Sequence, residues 1–167
     1  MVEPSKINPI RETNDEARAQ ARSLIENARF GTIAVLEPET GYPQVSRIAV
    51  AMEKDGSPFF LASDLSGHSK ALKSDGRASI LFGEPPQKGD PLAFPRVTVI
   101  GGVVKLDRND PVHAVRRAFW LNKHPKSGLY VDFGDFAFYK MRVERVALNG
   151  GFGKAFEMGP EDIAEVM

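Results

Sequence analysis

The chain has 167 residues, with 22 Lys and Arg against 22 Asp and Glu, so its formal net charge is zero; 42% of its residues are apolar and none is cysteine. That length predicts one domain whose core can bury roughly 70% of the unfolded surface. Neutrality argues against a basic nucleic-acid binder, and the lack of cysteine removes disulfides, thiolate nucleophiles and Cys-ligated metal sites, which fits a cytoplasmic protein.

Residues 1–13 read as a polar N-terminal arm. The segment Met1–Lys6 lacks the apolar run of a secretory signal, and no stretch approaches the ~18 apolar residues of a membrane span. A helix follows. Asn14 or Thr13 can cap it, Asp15 and Glu16 suit its first turn, and Ala17, Ala21, Leu24, Ile25 and Ala28 form one apolar stripe up to Arg29. Strands are then predicted over Phe30–Leu36, Val45–Met52 and Pro58–Ser63. Asp55-Gly56 supplies the hairpin turn between the last two, because glycine reaches the positive φ that such turns require.

A short helix from Ser66 to about Ser74 precedes a strand over Ala78–Phe82 and a loop, 83–95, holding four prolines. Arg96–Leu106 reads as a long strand broken by Gly101-Gly102, the mark of a bulge or barrel corner. Asp110-Pro111 opens a second long helix that Pro125 stops after His124. Asp135–Val146 is a last strand, Asn149–Lys154 a glycine-rich turn, and 160–167 a frayed terminal helix. The domain itself is expected over 14–157, with 158–167 as a tail. Strands joined by hairpins, not separated by helices at βαβ spacing, predict a mainly β chain with flanking helices: a small antiparallel barrel.

Alternation along the second strand puts Val45, Arg47, Ala49 and Ala51 on one side, with Ser46, Ile48, Val50 and Met52 toward the core. A long cation above two alanines leaves room for a ligand; the plainer reading is an edge-strand Arg in a surface ion pair. His68, Ser69 and Lys70 fall in the first turn of the short helix. Lys is disfavoured there by the helix dipole unless an anion binds, and free N–H groups, a hydroxyl and an ammonium together make a phosphate cradle. If the strand bearing Arg47 neighbours the strand ending at Ser63, both cations can face one phosphate. Gly150–Lys154 is not a phosphate loop, since no Gly-Lys-Ser/Thr opens a helix after it. His68, His113 and His124 have no i, i+3 or i+4 spacing, so no metal site is expected.

These segments taken in order resemble a known family. Ser46–Val50, Asp55-Gly56, Phe59–Ser63, His68–Leu72, Arg77–Phe82 and Pro95–Gly102 are similar to the FMN-binding split-barrel proteins related to pyridoxamine 5′-phosphate oxidase. Asp132–Tyr139 with Asn149–Ala155 looks like the haem-utilisation, HugZ-type branch of that superfamily. The resemblance implies a homodimer of split antiparallel β-barrels with FMN in a shared site and a small-molecule substrate. Carried over by position, Arg47, Ile48, Ala49 and Val50 would line the flavin and its phosphate, Ala62 and Ser63 would approach the ring, and His68, Ser69 and Lys70 would hold the phosphate. Arg96 of the second copy would stand where the oxidase has a glutamine. The sequence departs from the oxidases' Ser-Arg-Lys at 68–70 and lacks their C-terminal Arg/His segment. It also has no histidine after His124, where haem-degrading relatives carry an iron ligand. The expected function is therefore a small FMN-dependent oxidoreductase, with a haem-binding or haem-degrading protein, or a non-catalytic flavin-binding dimer, as the alternatives.

Overall fold

The computed structural model describes residues 8–165. Three helices, α1 (Asp15–Glu26), α2 (Gly67–Ser74) and α3 (His113–Lys123), flank one nine-stranded sheet curled into a barrel. Its strands are β1 (Ile10–Arg11), β2 (Phe30–Leu36), β3 (Pro43–Ala49), β4 (Ala51–Met52), β5 (Pro58–Ser63), β6 (Arg77–Phe82), β7 (Arg96–Lys105), β8 (Phe136–Asn149) and β9 (Ala155–Met158). The main path runs β1-β9-β8-β7-β6-β2-β3, and β5 joins both β4 and β8. Every pairing is antiparallel except β1 with β9. No helix among the described residues is long and apolar enough to cross a membrane.

Local chemistry sets most boundaries. Asn14 caps α1 by accepting the Ala17 N–H at 2.8 Å, and Ala17, Ala21 and Ile25 turn into the core. Gly56 takes φ +84° in the β4–β5 turn. The β7–β8 register shifts between Ile100 and Gly101, the bulge that the two glycines predict.

Four expectations change. The strand over 45–52 is two strands, because Val50 leaves the ladder: its N–H donates to the Arg29 carbonyl (3.2 Å) and its carbonyl accepts from His124 Nε2 (2.7 Å). That bend moves Ala51 off the Arg47 face and buries it beside Phe59, Trp120, Val131 and Phe138 in a second apolar cluster. The polar arm contains β1, which pairs with β9. Residues 160–162 form a 3₁₀ turn instead of a frayed helix, and Ile163 is fully buried, with Arg18 Nε donating to Asp162 at 2.6 Å. Residues 166–167 of the expected terminal helix lie outside the described residues.

The bulge yields a paired test. A Cβ on Gly101 would collide with the backbone carbonyl of Arg142, whereas one on Gly102 meets nothing within 4 Å. Gly101→Ala should cost about 3 kcal/mol, at the upper end of overpacking penalties, and Gly102→Ala less than about 0.5 kcal/mol. Urea unfolding of both variants checks this; equal losses would mean that the ladder is not pinned at Gly101.

Candidate functional site

The site begins where β5 ends. Ser63 Oγ donates to Asp135 Oδ2 (2.5 Å) and accepts from the Leu65 N–H (3.1 Å), while the Asp64 N–H reaches the Asp135 carbonyl (2.7 Å). The chain then turns into α2. Ser66 caps it, its Oγ accepting from the Ser69 N–H at 3.3 Å and lying 2.7 Å from Ser69 Oγ. No acid occupies the first turn of α2, so the positive end of its dipole has no side-chain compensation within the helix.

A chain of polar side chains stands behind this turn. Lys105 Nζ contacts both Asp64 oxygens (2.8 and 2.9 Å), and Tyr139 Oη donates to Asp64 Oδ1 (3.0 Å). The Lys105 hydrogen bond leads the effects that hold the Asp64 carboxyl below the usual range. Burial leads those that push the Tyr139 phenol up, with Ser69 and Asp64 as its hydrogen-bonding neighbours. Tyr139 also stacks on Phe60 with centroids 5.5 Å apart. Asp64, Lys105 and Tyr139 therefore tie the turn before α2 to β7 and β8. The partners of Asp64 lie 41 and 75 residues away, which no local pattern signals.

Each expected site residue can now be placed. Arg47 is exposed on the outer face of β3, opposite Thr32, with its guanidinium 5.0 Å from the Phe30 ring centroid. Ala49 shares that exposed face. Ile48, Val50 and Ala62 are buried in the main core, which leaves their backbone groups, not their side chains, for a ligand. Ser69 is buried, Ser63 and His68 are half-buried, and Lys70 is exposed. Arg96 Nη1 donates to the carbonyls of Leu92 (3.1 Å) and Phe94 (3.4 Å). Among the described residues no carboxylate pairs with Arg47 or Lys70.

The strand read over 45–52 pairs with β5 only through its last two residues. β3 is hydrogen-bonded to β2, not to β5, because the kink at Val50 hands the pairing with β5 to β4. β3 and β5 still pack against each other, and a Cβ on Gly67 would touch the Gln44 side chain of β3 at 3.4 Å. The start of α2 thus abuts β3 at Gln44, which alternation puts on the face opposite Arg47. On the outer face, a cavity of about 590 Å³ runs between the end of α1, β2, β6 and the proline-rich loop, lined by Arg29, Phe30, Thr32, Leu81 and Pro95 among others. Phe30 and Thr32, the two residues beside Arg47, form part of its wall.

The histidines are occupied differently. His124 Nε2 bonds the Val50 carbonyl and its ring lies 4.3 Å from Trp120, and His113 lies against Phe138 at 5.7 Å. His68 sits 6.3 Å from Phe60. Among the described residues no three His, Asp or Glu side chains converge to hold a metal ion.

Comparison with known proteins settles the family. The model of the CREG β-barrel family matches residues 12–164, and the chain belongs to that family. It is 33% identical over 138 residues to the chloroplastic non-canonical heme oxygenase HOZ of Arabidopsis thaliana, covering 82% of this chain and 41% of that protein. A solved heme binding protein from Mycobacterium smegmatis is 31% identical, with a TM-score of 0.81, covering 94% of this chain and 63% of that one. The chain thus spans less than two thirds of either relative. A Clostridium acetobutylicum protein of the pyridoxinephosphate oxidase family, 16% identical, shares the fold with a TM-score of 0.67, covering 90% of this chain and 99% of that one. The barrel is a split barrel of the kind that the sequence resemblance implies.

Burial holds both His68 and His124 below the ordinary imidazole value; for His124 the Val50 carbonyl opposes this, and Lys123 and Arg29 add to it. The unfolded chain therefore takes up these protons first as the pH falls through about 6.5. Stability should be full well above that pH and decline as the pH falls through it toward the lower folded-state values. Urea unfolding across that range checks it, and a double variant, His68→Gln with His124→Gln, should flatten the slope. The lowered carboxyls of Asp64, Asp132 and Asp162 act at more acid pH and leave this window alone.

Proposed function

We propose that the barrel binds FMN and works as a small flavin-dependent oxidoreductase, built as a homodimer with each cofactor in a cleft shared by two copies. The observation that carries this reading is the first turn of α2, which holds no acidic side chain. The first-turn N–H groups of Gly67 and His68 project beyond the Ser66 cap, Lys70 has no carboxylate partner among the described residues, and Arg47 stands on the adjacent edge strand in the same condition. A dianionic phosphate fits that set: it compensates the helix dipole and takes charge-assisted hydrogen bonds from an ammonium and a guanidinium.

In this reading Ser69 and Lys70 grip the phosphate, and Arg47 closes on it from β3. The backbone of Ile48–Val50 and of Ala62-Ser63 borders the ring, and Arg96 of the second copy stands beside it. Asp64, Tyr139 and Lys105 hold the turn before α2 in place. FMN, when bound, supplies the electron transfer, and the chain binds and orients it. A second copy is supported by the outer face of β3, β2 and β6, where Val45 and Leu81 are 65% and 43% exposed around Arg47.

A haem reading is favoured by one specific observation: a heme oxygenase and a heme binding protein are among the relatives above 30% identity. The residues here fit it less well. His124 is committed to the Val50 carbonyl and His113 lies against Phe138, so His68 is the one histidine at the cradle.

Reconstitution separates the readings. The full chain should retain FMN with a flavin spectrum, and Arg47→Ala should weaken FMN about tenfold or more while changing riboflavin affinity little, as loss of a charge-assisted bond to phosphate requires. Equal effects on the two flavins would overturn the phosphate role. A stoichiometric haemin complex with a Soret band, and no retained flavin, would replace FMN with haem.

A further inference from the structure

α3 carries apolar side chains that it does not bury. Val112, just ahead of it, and Val115 and Phe119 within it are 48%, 72% and 51% exposed. Together with Met52 and Phe59 they line a cavity of about 480 Å³ between α3 and the β4–β5 hairpin. The size and apolar walls are those of a small-molecule site. None of the residues assigned to the cofactor cradle takes part in it.

Arg116 lines the same cavity, yet its side chain is only 8% exposed. Its Nε donates to Glu53 Oε1 at 2.8 Å. The other Glu53 oxygen is taken by Lys140 Nζ at 2.6 Å, and Lys140 also holds Asp55 at 2.8 Å. Glu53 therefore cannot grip the guanidinium with both oxygens. Arg116 Nη1 is left buried with no acceptor among the described residues. A guanidinium arm without an acceptor in an apolar setting is a strong unmet demand for an anionic oxygen.

From this geometry we propose that the cavity binds an amphipathic monocarboxylate, its chain against Val112, Val115, Phe119 and Phe59 and its carboxylate on Arg116. A single negative charge is specified because Glu53 and Asp55, with Lys54 between them, also line the cavity, and the two carboxylates disfavour a phosphate dianion more than a single charge. A neutral apolar ligand would leave Nη1 unmet.

The chain's single tryptophan reports on the site, since Trp120 lies 5.8 Å from Phe59 beneath the cavity floor. Titrating the full-length protein with decanoate should change Trp120 fluorescence saturably, with decanol binding about tenfold more weakly because it lacks the charge. Val115→Glu, at an exposed position that leaves the core untouched, should weaken decanoate about tenfold or more by placing a like charge at the mouth. Arg116→Met should erase the preference for decanoate over decanol. Should that variant fail to fold, with Glu53 left on Lys140 alone, the Val115→Glu and decanol comparisons still decide. Equal binding of decanol and decanoate, unchanged binding in Val115→Glu, or no saturable signal below the decanoate micelle concentration would each overturn the proposal.

Discussion

One bent strand organises the molecule. β8 is hydrogen-bonded to β7 along nearly its whole length on one edge, while its other edge takes β5 at Phe136–Lys140 and β9 at Val146–Asn149. No single flat strand could serve both halves. The bulge between Ile100 and Gly101 gives the β7–β8 ladder the extra turn that it needs, and glycine is required there because the Arg142 carbonyl approaches where a Cβ would be. The edge of β8 between its two partners is where the barrel splits. One side holds the main core, and the other holds the smaller cluster of Ala51, Phe59, Trp120, Val131 and Phe138. α2 starts where β5 leaves β8, at the Ser63–Phe136 pair, so the ladder that splits the barrel also fixes where the first turn of α2 points.

Local charge, not net charge, gives that place its character. The chain is neutral overall, but many of its carboxylates are committed to specific partners: Asp162 and Asp15 to Arg18, Asp132 to Arg117, Glu53 to Arg116 and Lys140. Most of these pairs are partly exposed and stabilise the fold little. Asp64 differs in what it organises. Bound by Lys105 and Tyr139, it compensates a nearby ammonium and ties the turn before α2 to β7 and β8. Lys70, one residue further on, faces the exposed side of the same turn without a carboxylate partner among the described residues.

The sequence disclosed whatever is encoded within a turn or two of chain. Asn14, Asp55-Gly56, Ser66 and Gly101-Gly102 each carry their structural instruction locally, and the elements that they bound lie close to where the pattern puts them. Features that depend on distant partners were invisible. β1 pairs with a strand 145 residues later, at Ile10↔Ala155, and Ile163 reads as a tail residue until its burial is seen. The split of the 45–52 strand depends on a His124 hydrogen bond 74 residues away. Arg108, which donates to the carbonyls of Val131, Asp132, Phe133 and Phe136 and so pins the loop before β8, has no sequence signature either. The resemblance to split-barrel proteins bridged part of this gap, because an ordered succession of weak motifs carries topology that no single motif does.

The same alternation that made Arg47 conspicuous sets a condition on assembly. Ile48 sits in the core while Arg47 and Ala49 face outward on the edge strand. If a second copy covers that face, Val45 and Leu81 gain from burial, but the Arg47 guanidinium loses water with the Phe30 ring as its recorded neighbour. A desolvated, unpaired cation is costly, and an aromatic face compensates only part of it. An anionic ligand at that point removes the cost. Ligand occupancy and association of two copies then favour each other through the free energy of one side chain, a coupling that is necessarily reciprocal. In a dimer of the proposed kind, an edge-strand arginine on that face would tie assembly to occupancy of the site.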